Sequence, residues 1–158
     1  MDSEELVLLA ARWEFGLIRP HDLHEVAGEL LERGLDKPAL IELFSLSKEA
    51  APWEGPALFD QALRELGAPS AAELRDGRVV ARLMARAILG GETPREVCQQ
   101  ASRYYLASGY RSADLGGFYA LDDEYGSLDH GLSFSGRTEQ QIDEDARTFA
   151  RDLLGAGV

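Results

Sequence analysis

The chain has 158 residues, of which 45% are hydrophobic and 28% are charged, a balance typical of folded domains rather than of disordered chains. Its 16 basic and 28 acidic residues give a net charge of −12, which disfavours binding to nucleic acids and to anionic membranes. Apolar runs stay short of the roughly 20 residues that cross a bilayer, and the acidic start lacks the positive charge of a secretory signal, so we expect a cytoplasmic protein.

Two helices are predicted at the start of the chain, each with apolar residues at helical spacing. Asp2 and Glu5 have the spacing of a capping box for the first helix, which Gly16 ends. The second begins at Pro20, because the fixed φ of proline suits a first helical turn, and stops at Gly34.

Two more helices complete the first half. Asp36 is expected to cap the third helix, whose apolar residues, Phe44 among them, should face inward. Pro52 and Pro56 are expected to bracket a loop before the fourth helix, which Gly67 ends.

The second half opens with the sharpest helical periodicity in the chain. Ser70 and Glu73 have capping-box spacing, and the helix should continue without a break to Gly90. One side of this helix is basic and is predicted either to face solvent or to pair within the protein. The basic residues are Arg75, Arg78, Arg82 and Arg86.

Three further helices are predicted towards the end of the chain. One starts at Pro94 and ends at Gly109, and the next is capped by Ser112. Residues 126–136 lack helical periodicity and are expected to form a loop. Thr138 then caps the last helix.

These patterns predict an all-α fold of about eight short helices, since alternating strand patterns are absent. A shift of 74 residues places Gly16 on Gly90 and Pro20 on Pro94, which indicates a duplicated helical unit. We therefore expect one domain, residues 1–158, made of two pseudo-repeated halves that share a common core. The halves are residues 1–68 and 69–158.

An acidic window lies in the second half. Residues 122–145 carry eight acids and a single base, Arg137, so more than half of the net charge falls there. This charge either forms a solvated face or attracts a basic partner. The acids are Asp122, Asp123, Glu124, Asp129, Glu139, Asp143, Glu144 and Asp145.

Aromatic residues overlap this window, and tyrosines among carboxylates favour a protein-recognition surface. We expect Tyr105, Phe118 and Tyr119 to be buried. Contact candidates are then Tyr104, Tyr110 and Tyr125. The predicted partner-binding residues are Asp122, Asp123, Glu124, Tyr125, Asp129 and Tyr110.

A metal-dependent hydrolase-like helical bundle is the alternative. His21 and His24 stand three residues apart at the start of a helix, a spacing that lets two imidazoles share one metal, and His130 would have to supply a third ligand. The lone thiol, Cys98, has an apolar neighbour and is expected to be packed and inert, in agreement with a reducing compartment. No cofactor is expected.

Two stretches carry a resemblance to a group of known proteins. They are Ala-Arg-Trp…Gly-Leu-Ile-Arg-Pro…Leu-Ile-Glu-Leu in residues 11–43 and Phe-Tyr-Ala-Leu-Asp-Asp-Glu in residues 118–124. The chain resembles small acidic all-helical bacterial proteins, many of unknown function and some of them immunity proteins against toxins. The resemblance implies an inhibitor that covers a basic toxin active site with acids, here Asp122, Asp123, Glu124 and Asp129.

The sequence therefore predicts a non-enzymatic module that binds another protein with a basic surface. A homodimer, in which the partner is a second copy of the chain, is a further alternative.

Overall fold

The computed structural model describes residues 1–131 and 136–155, and within them it contains nine α-helices, one 3₁₀ turn and no strand. The predicted all-α class is confirmed. The helices are α1 Ser3–Glu14, α2 Leu23–Glu32, α3 Pro38–Ser45, α4 Ala51–Leu66, α5 Ala71–Leu74, α6 Arg78–Leu89, α7 Pro94–Ala107, α8 Ala113–Asp129 and α9 Glu139–Gly155. The 3₁₀ turn Pro20–Asp22 leads directly into α2.

The chain forms two compact units, residues 1–73 and 74–158. The first contains α1 to α4, the second contains α6 to α9, and α5 crosses the boundary between them. That the halves are copies of each other stays a prediction. One pair of helices that the duplication makes equivalent differs in length, since α3 has 8 residues and α8 has 17.

The core of the first unit forms where α2, α3 and α4 pack together. Leu23, Leu43 and Phe59 are fully buried there. Gly55 of α4 allows this close packing, because a Cβ atom on it would lie 2.9 Å from Leu43 Cδ1. Trp13 of α1 packs edge-on against Phe59, with ring centroids 5.3 Å apart, which fixes α1 to α4.

Three predictions for the first unit were wrong. The third helix begins at Pro38, with Lys37 rather than Asp36 at its N-cap, and Phe44 on α3 is 46% exposed instead of facing inward. No loop separates the prolines of α4, because Pro52 lies in the first helical turn and Pro56 lies inside the helix. Proline is tolerated in a first turn, where its missing N–H would have no helical partner.

The second unit packs α7 against α8 and α6 against α9. The pairing buries one stripe from each helix, including Val80, Ile88, Phe118 and Ile142. Capping by Ser112 is confirmed, since its Oγ accepts a hydrogen bond from the Leu115 N–H at 3.3 Å.

The predicted long helix from Ser70 to Gly90 is wrong, because the chain breaks at Gly77. This residue has φ +72°, in the left-handed region, and it separates α5 from α6. A Cβ atom at this position would lie 2.5 Å from Ser112 Oγ. The α5–α6 turn therefore packs directly on the start of α8.

The predicted loop at residues 126–136 is also wrong at its start, since α8 continues to Asp129. Residues 132–135, with Phe134, lie outside the described part of the chain. The glycines inside α8 serve close packing: a Cβ atom on Gly116 would lie 3.3 Å from Tyr105, and one on Gly117 would lie 2.2 Å from Phe149. None of the helices in the described residues has both the length and the apolar character needed to span a membrane.

Candidate protein-binding surface

Three tyrosines of the second unit form one aromatic cluster, which we call the tyrosine cluster: Tyr105 on α7, Tyr110 in the α7–α8 loop and Tyr119 on α8. The ring of Tyr105 lies between the other two. Its centroid is 5.3 Å from that of Tyr110, at an interplanar angle of 89°, and 5.1 Å from that of Tyr119, at 40°. These are favourable edge-to-face and tilted geometries, so each ring supports the position of the next.

Tyr110 combines exposure with an unusual backbone conformation. Its side chain is 62% exposed, and its φ of +64° makes it the one non-glycine residue in the described part of the chain with a positive φ. The left-handed conformation costs a residue with a Cβ atom about 1–2 kcal/mol. A bulky aromatic held in that conformation at the surface is the kind of strained feature that often marks a functional position.

The loop around Tyr110 is fixed by hydrogen bonds. The Tyr110 N–H donates to the Tyr105 carbonyl at 3.1 Å, and Ser108 Oγ donates to the same carbonyl at 2.7 Å. Arg111 Nε donates to the Ser108 carbonyl at 2.7 Å, and Gly109, at φ +69°, turns the chain just before Tyr110. The tyrosine ring is therefore presented by a loop with an ordered backbone.

Two carboxylates follow the tyrosine cluster along α8. Asp122 and Asp123 come three and four residues after Tyr119, and this spacing places side chains on the same side of a helix. Asp123 is exposed and Asp122 is half-buried. Neither makes an ion pair within residues 1–131 and 136–155.

Five of the eight acids in the acidic window form ion pairs inside the second unit. Arg137 donates to Glu124 at 2.6 Å and also pairs with Asp145. These two carboxylates raise the pKa of the Arg137 guanidinium, with the hydrogen bond to Asp145 as the main cause. The one base of the window therefore joins α8 to α9.

A second arginine, Arg95 on α7, pairs with two further acids of the window. It pairs with Asp129 and, at 3.4 Å, with Glu139, so it links three helices. The hydrogen bond to Asp129 is the main reason that the pKa of Arg95 is raised. Its guanidinium also lies 5.7 Å from the ring centroid of Tyr125.

The structure places the predicted contact residues in three different settings. Tyr110 and Asp123 are exposed and Asp122 is half-buried; we call these three residues, with Tyr105 and Tyr119, the α8 surface. Glu124 and Asp129 are engaged by arginines. The prediction for Tyr125 was wrong, because this residue is buried and only 1% exposed.

Three more tyrosine predictions were wrong. Tyr104, expected as a contact candidate, is buried, whereas Tyr105 and Tyr119, expected in the core, are half-exposed. Of the three aromatics expected to be buried, only Phe118 is. The helical phase of α7 was therefore misjudged by one position at the Tyr104–Tyr105 pair, while the exposure of Tyr110 is confirmed.

Two arginines outside the acidic window form ion pairs with acids of the window, and these pairs were not predicted from the sequence. Arg95 precedes Asp129 by 34 residues, and Arg147 lies 4.0 Å from Asp143, one helical turn earlier on α9. The signal for Arg147 was present, since acid and base four residues apart on a helix form a common pair. No comparable local spacing pointed to Arg95.

The structure gives the histidines of the alternative hypothesis other surroundings. His21 and His24 line a groove of about 410 Å³ with Glu25, Phe44 and Lys48. The His24 ring packs against Phe44 at a centroid distance of 4.8 Å, and the ammonium group of Lys48 disfavours a cation in the same groove. In the first unit these two imidazoles therefore share a groove without a set of metal ligands.

His130 follows α8 in the second unit and is exposed. Among the described residues, no group of three or more His, Cys, Asp or Glu side chains is arranged to hold a metal ion.

No protein family, no curated protein and no solved structure matches this chain. The resemblance to small acidic helical bacterial proteins stays a prediction.

Proposed function

We propose that this chain is a non-enzymatic protein-binding module and that the α8 surface is its contact region. One observation carries the proposal: Tyr110 keeps a largely exposed aromatic ring on a backbone conformation that disfavours tyrosine. Stability alone favours glycine or asparagine at such a position. A tyrosine is therefore better explained by an intermolecular contact, for which aromatic residues are strongly enriched.

The neighbouring charges support a partner with a basic surface. Asp122 and Asp123 are acids of α8 that make no ion pair in the described part of the chain, and they follow the tyrosine cluster along the helix. In this arrangement an aromatic anchor supplies contact area, while the carboxylates increase the association rate with a cationic surface. Because Glu124 and Asp129 are already paired, the acidic part of this surface is smaller than the window suggests.

The sharpest form of the proposal is an immunity-type inhibitor of a bacterial toxin. In this form Asp122 and Asp123 would cover cationic residues of the toxin active site, and Tyr110 would anchor the contact. The support for it is the charge of the α8 surface together with the resemblance described above.

Site-specific photo-crosslinking tests the proposal, because it captures a binding partner whatever its identity. A photoreactive phenylalanine analogue replaces Tyr110 in the full chain, which is expressed in cells of the source organism and irradiated. We expect one discrete crosslinked species whose second component is another protein. A crosslinked species with twice the mass of the chain would instead assign the α8 surface to a homodimer.

Position 89 provides the matched control. Leu89 is 42% exposed and lies at the end of α6 in the same unit, outside the tyrosine cluster. The proposal fails if the analogue gives no discrete species at position 110, or gives the same species at position 89. Replacing Asp122 and Asp123 by asparagine should weaken the crosslink at low salt and have little effect at high salt.

A further inference from the structure

A second candidate site lies on the second unit, in a groove formed by α6, α9 and the first turn of α8. Its volume is about 210 Å³, and it is lined by Arg78, Arg82, Asp114, Phe149 and Leu153. The groove therefore suits a small molecule or the end of a peptide.

Arg82 supplies the polar recognition group. It is half-buried, and it has no ion pair or hydrogen-bond partner within the parts of the chain that the structure describes. A partly desolvated guanidinium without a partner favours an anion, because it presents several N–H donors and cannot lose its charge. The chain has a net charge of −12, yet none of the acids in the described residues pairs with Arg82.

The other two charges in the groove limit the kind of anion. Arg78 Nε lies 3.6 Å from Asp114 Oδ2, so the positive charge of Arg78 is largely balanced. The net charge of the lining is then +1. One negative charge on the ligand would match this net charge, whereas a dianion such as a phosphate monoester would leave one of its charges without a partner in the groove.

The remaining wall of the groove is apolar and packs against α8. Phe149 packs edge-on against Phe118, with ring centroids 4.9 Å apart, and its ring sits directly over Gly117. Leu153 comes one turn later on the same side of α9 and continues the apolar surface. A ligand with an apolar body can therefore bury that body beside its charged group.

We propose that this groove binds a carboxylate carried on an apolar body, with the carboxylate on Arg82 and the body against Phe149 and Leu153. Two sources of this chemistry fit the groove. One is a short free carboxylic acid, and the other is the C-terminal carboxylate of a peptide that ends in an apolar residue. The groove and the tyrosine cluster have no residue in common, so each proposal is tested by its own variants.

Titration followed by NMR tests the site in the full chain. The probes are hexanoate and a short peptide that ends in leucine with a free carboxylate. Each has a neutral counterpart, namely hexanamide and the same peptide amidated. We expect at least one carboxylate probe to bind saturably and to shift the resonances of Arg82 and Leu153, while its neutral counterpart binds roughly tenfold weaker or not at all. The probe that binds more tightly identifies the source.

Matched variants locate the bound carboxylate. Arg82→Gln should weaken binding roughly tenfold or more, because it removes the charge and keeps a side chain of similar shape. Arg75→Gln removes the same charge from an exposed position in the turn before α6, outside the groove lining, and should leave binding unchanged.

Three results would overturn the proposal. They are no saturable binding of either carboxylate probe, equal binding of the neutral counterparts, and equal effects of Arg82→Gln and Arg75→Gln. The amide spectrum of each variant in the absence of ligand shows whether it is folded, so loss of binding can be distinguished from loss of structure.

Discussion

Tyr125 Oη donates a hydrogen bond to Asp143 Oδ1 at 2.6 Å, and this contact joins α8 to α9 inside the second unit. Burial, together with the hydrogen bond to Asp143 and its negative charge, raises the pKa of the Tyr125 phenol well above its usual range. The residue that the sequence suggested as a partner contact therefore stabilises the core by keeping its proton.

The first prediction concerns this hydrogen bond. Tyr125→Phe should lower the free energy of unfolding by about 1–2 kcal/mol, because it removes a charge-assisted hydrogen bond in a buried setting. Since the folded pKa of Tyr125 lies above its unfolded value, its stabilising effect is complete below about pH 10 and declines as the pH rises further. In urea unfolding, the difference in the free energy of unfolding between wild type and variant should decrease by about 1.4 kcal/mol between pH 8 and pH 11. A difference that stays constant would contradict this account.

The second prediction concerns Cys98. Its thiol is buried, and burial, reinforced by the carboxylates of Asp122 and Asp143, raises its pKa to about 12. Because only the thiolate reacts, a thiol reagent at pH 8 should modify the native chain roughly a thousandfold more slowly than the urea-unfolded chain. Comparable rates in the two states would show that Cys98 is accessible and reactive.

The third prediction concerns the turn between α5 and α6. Gly77→Ala should destabilise the second unit twice, by about 1–2 kcal/mol for the left-handed backbone and by about 1–3 kcal/mol for overpacking against Ser112 and Leu115. Gly109→Ala is the control, since it has the same sign of φ and ordinary spacing from its neighbours. Thermal unfolding should show a clearly larger loss of stability for Gly77→Ala than for Gly109→Ala. Equal losses would show that overpacking against Ser112 and Leu115 contributes nothing.

The fourth prediction concerns Arg95, which links α7 to α8 and α9. Its partners Asp129 and Glu139 are both 56% exposed, so solvent screens these ion pairs and the contact with Tyr125 adds only modestly. Arg95→Gln should cost roughly 1 kcal/mol at low salt and less at high salt. Arg103→Gln, on an exposed side of α7, should change stability little at either salt concentration. If both variants respond equally, the arginine link contributes nothing specific.

The helices could be predicted from local signals, because capping and periodicity are properties of neighbouring residues. The box formed by Asp2 and Glu5 and the cap at Ser112 are both present in the structure. The end of α8 was missed because residues 126–136 lack helical periodicity and were therefore predicted to form a loop, although α8 continues to Asp129. The apolar stripe Leu115, Phe118, Leu121 and Tyr125 continues to the residue just before Gly126, and following it to its last member would have placed Tyr125 in the core.

The candidate site was predictable only in part, because it depends on tertiary contacts. Tyr110 was one of the contact candidates left after three other aromatics were assigned to the core, and its exposure is confirmed. Its left-handed backbone and its packing on Tyr105 have no local signature, since they depend on how α7 and α8 approach each other. Similarly, the sequence showed a dense acidic window, whereas the pairing with Arg95 depends on the approach of helices that are distant in sequence.

The last prediction separates stability from binding at Tyr110. Tyr110→Asn removes the edge-on contact with Tyr105, worth about 0.5–1.5 kcal/mol, but relieves the left-handed backbone by a similar amount, since asparagine tolerates that conformation. The free energy of unfolding should therefore change by less than about 1 kcal/mol. Binding to the partner captured by crosslinking should weaken at least roughly tenfold, as expected for an exposed aromatic anchor.

Two controls complete this last test. Tyr110→Phe keeps the ring and should retain most of the binding, which separates the aromatic surface from the hydroxyl group. Trp53→Asn removes an aromatic residue that is even more exposed, at 82%, but belongs to the first unit, and it should leave the affinity unchanged. If Trp53→Asn weakens binding as strongly as Tyr110→Asn, the contact is not specific to the α8 surface. If neither variant weakens it, the strained tyrosine needs a different explanation.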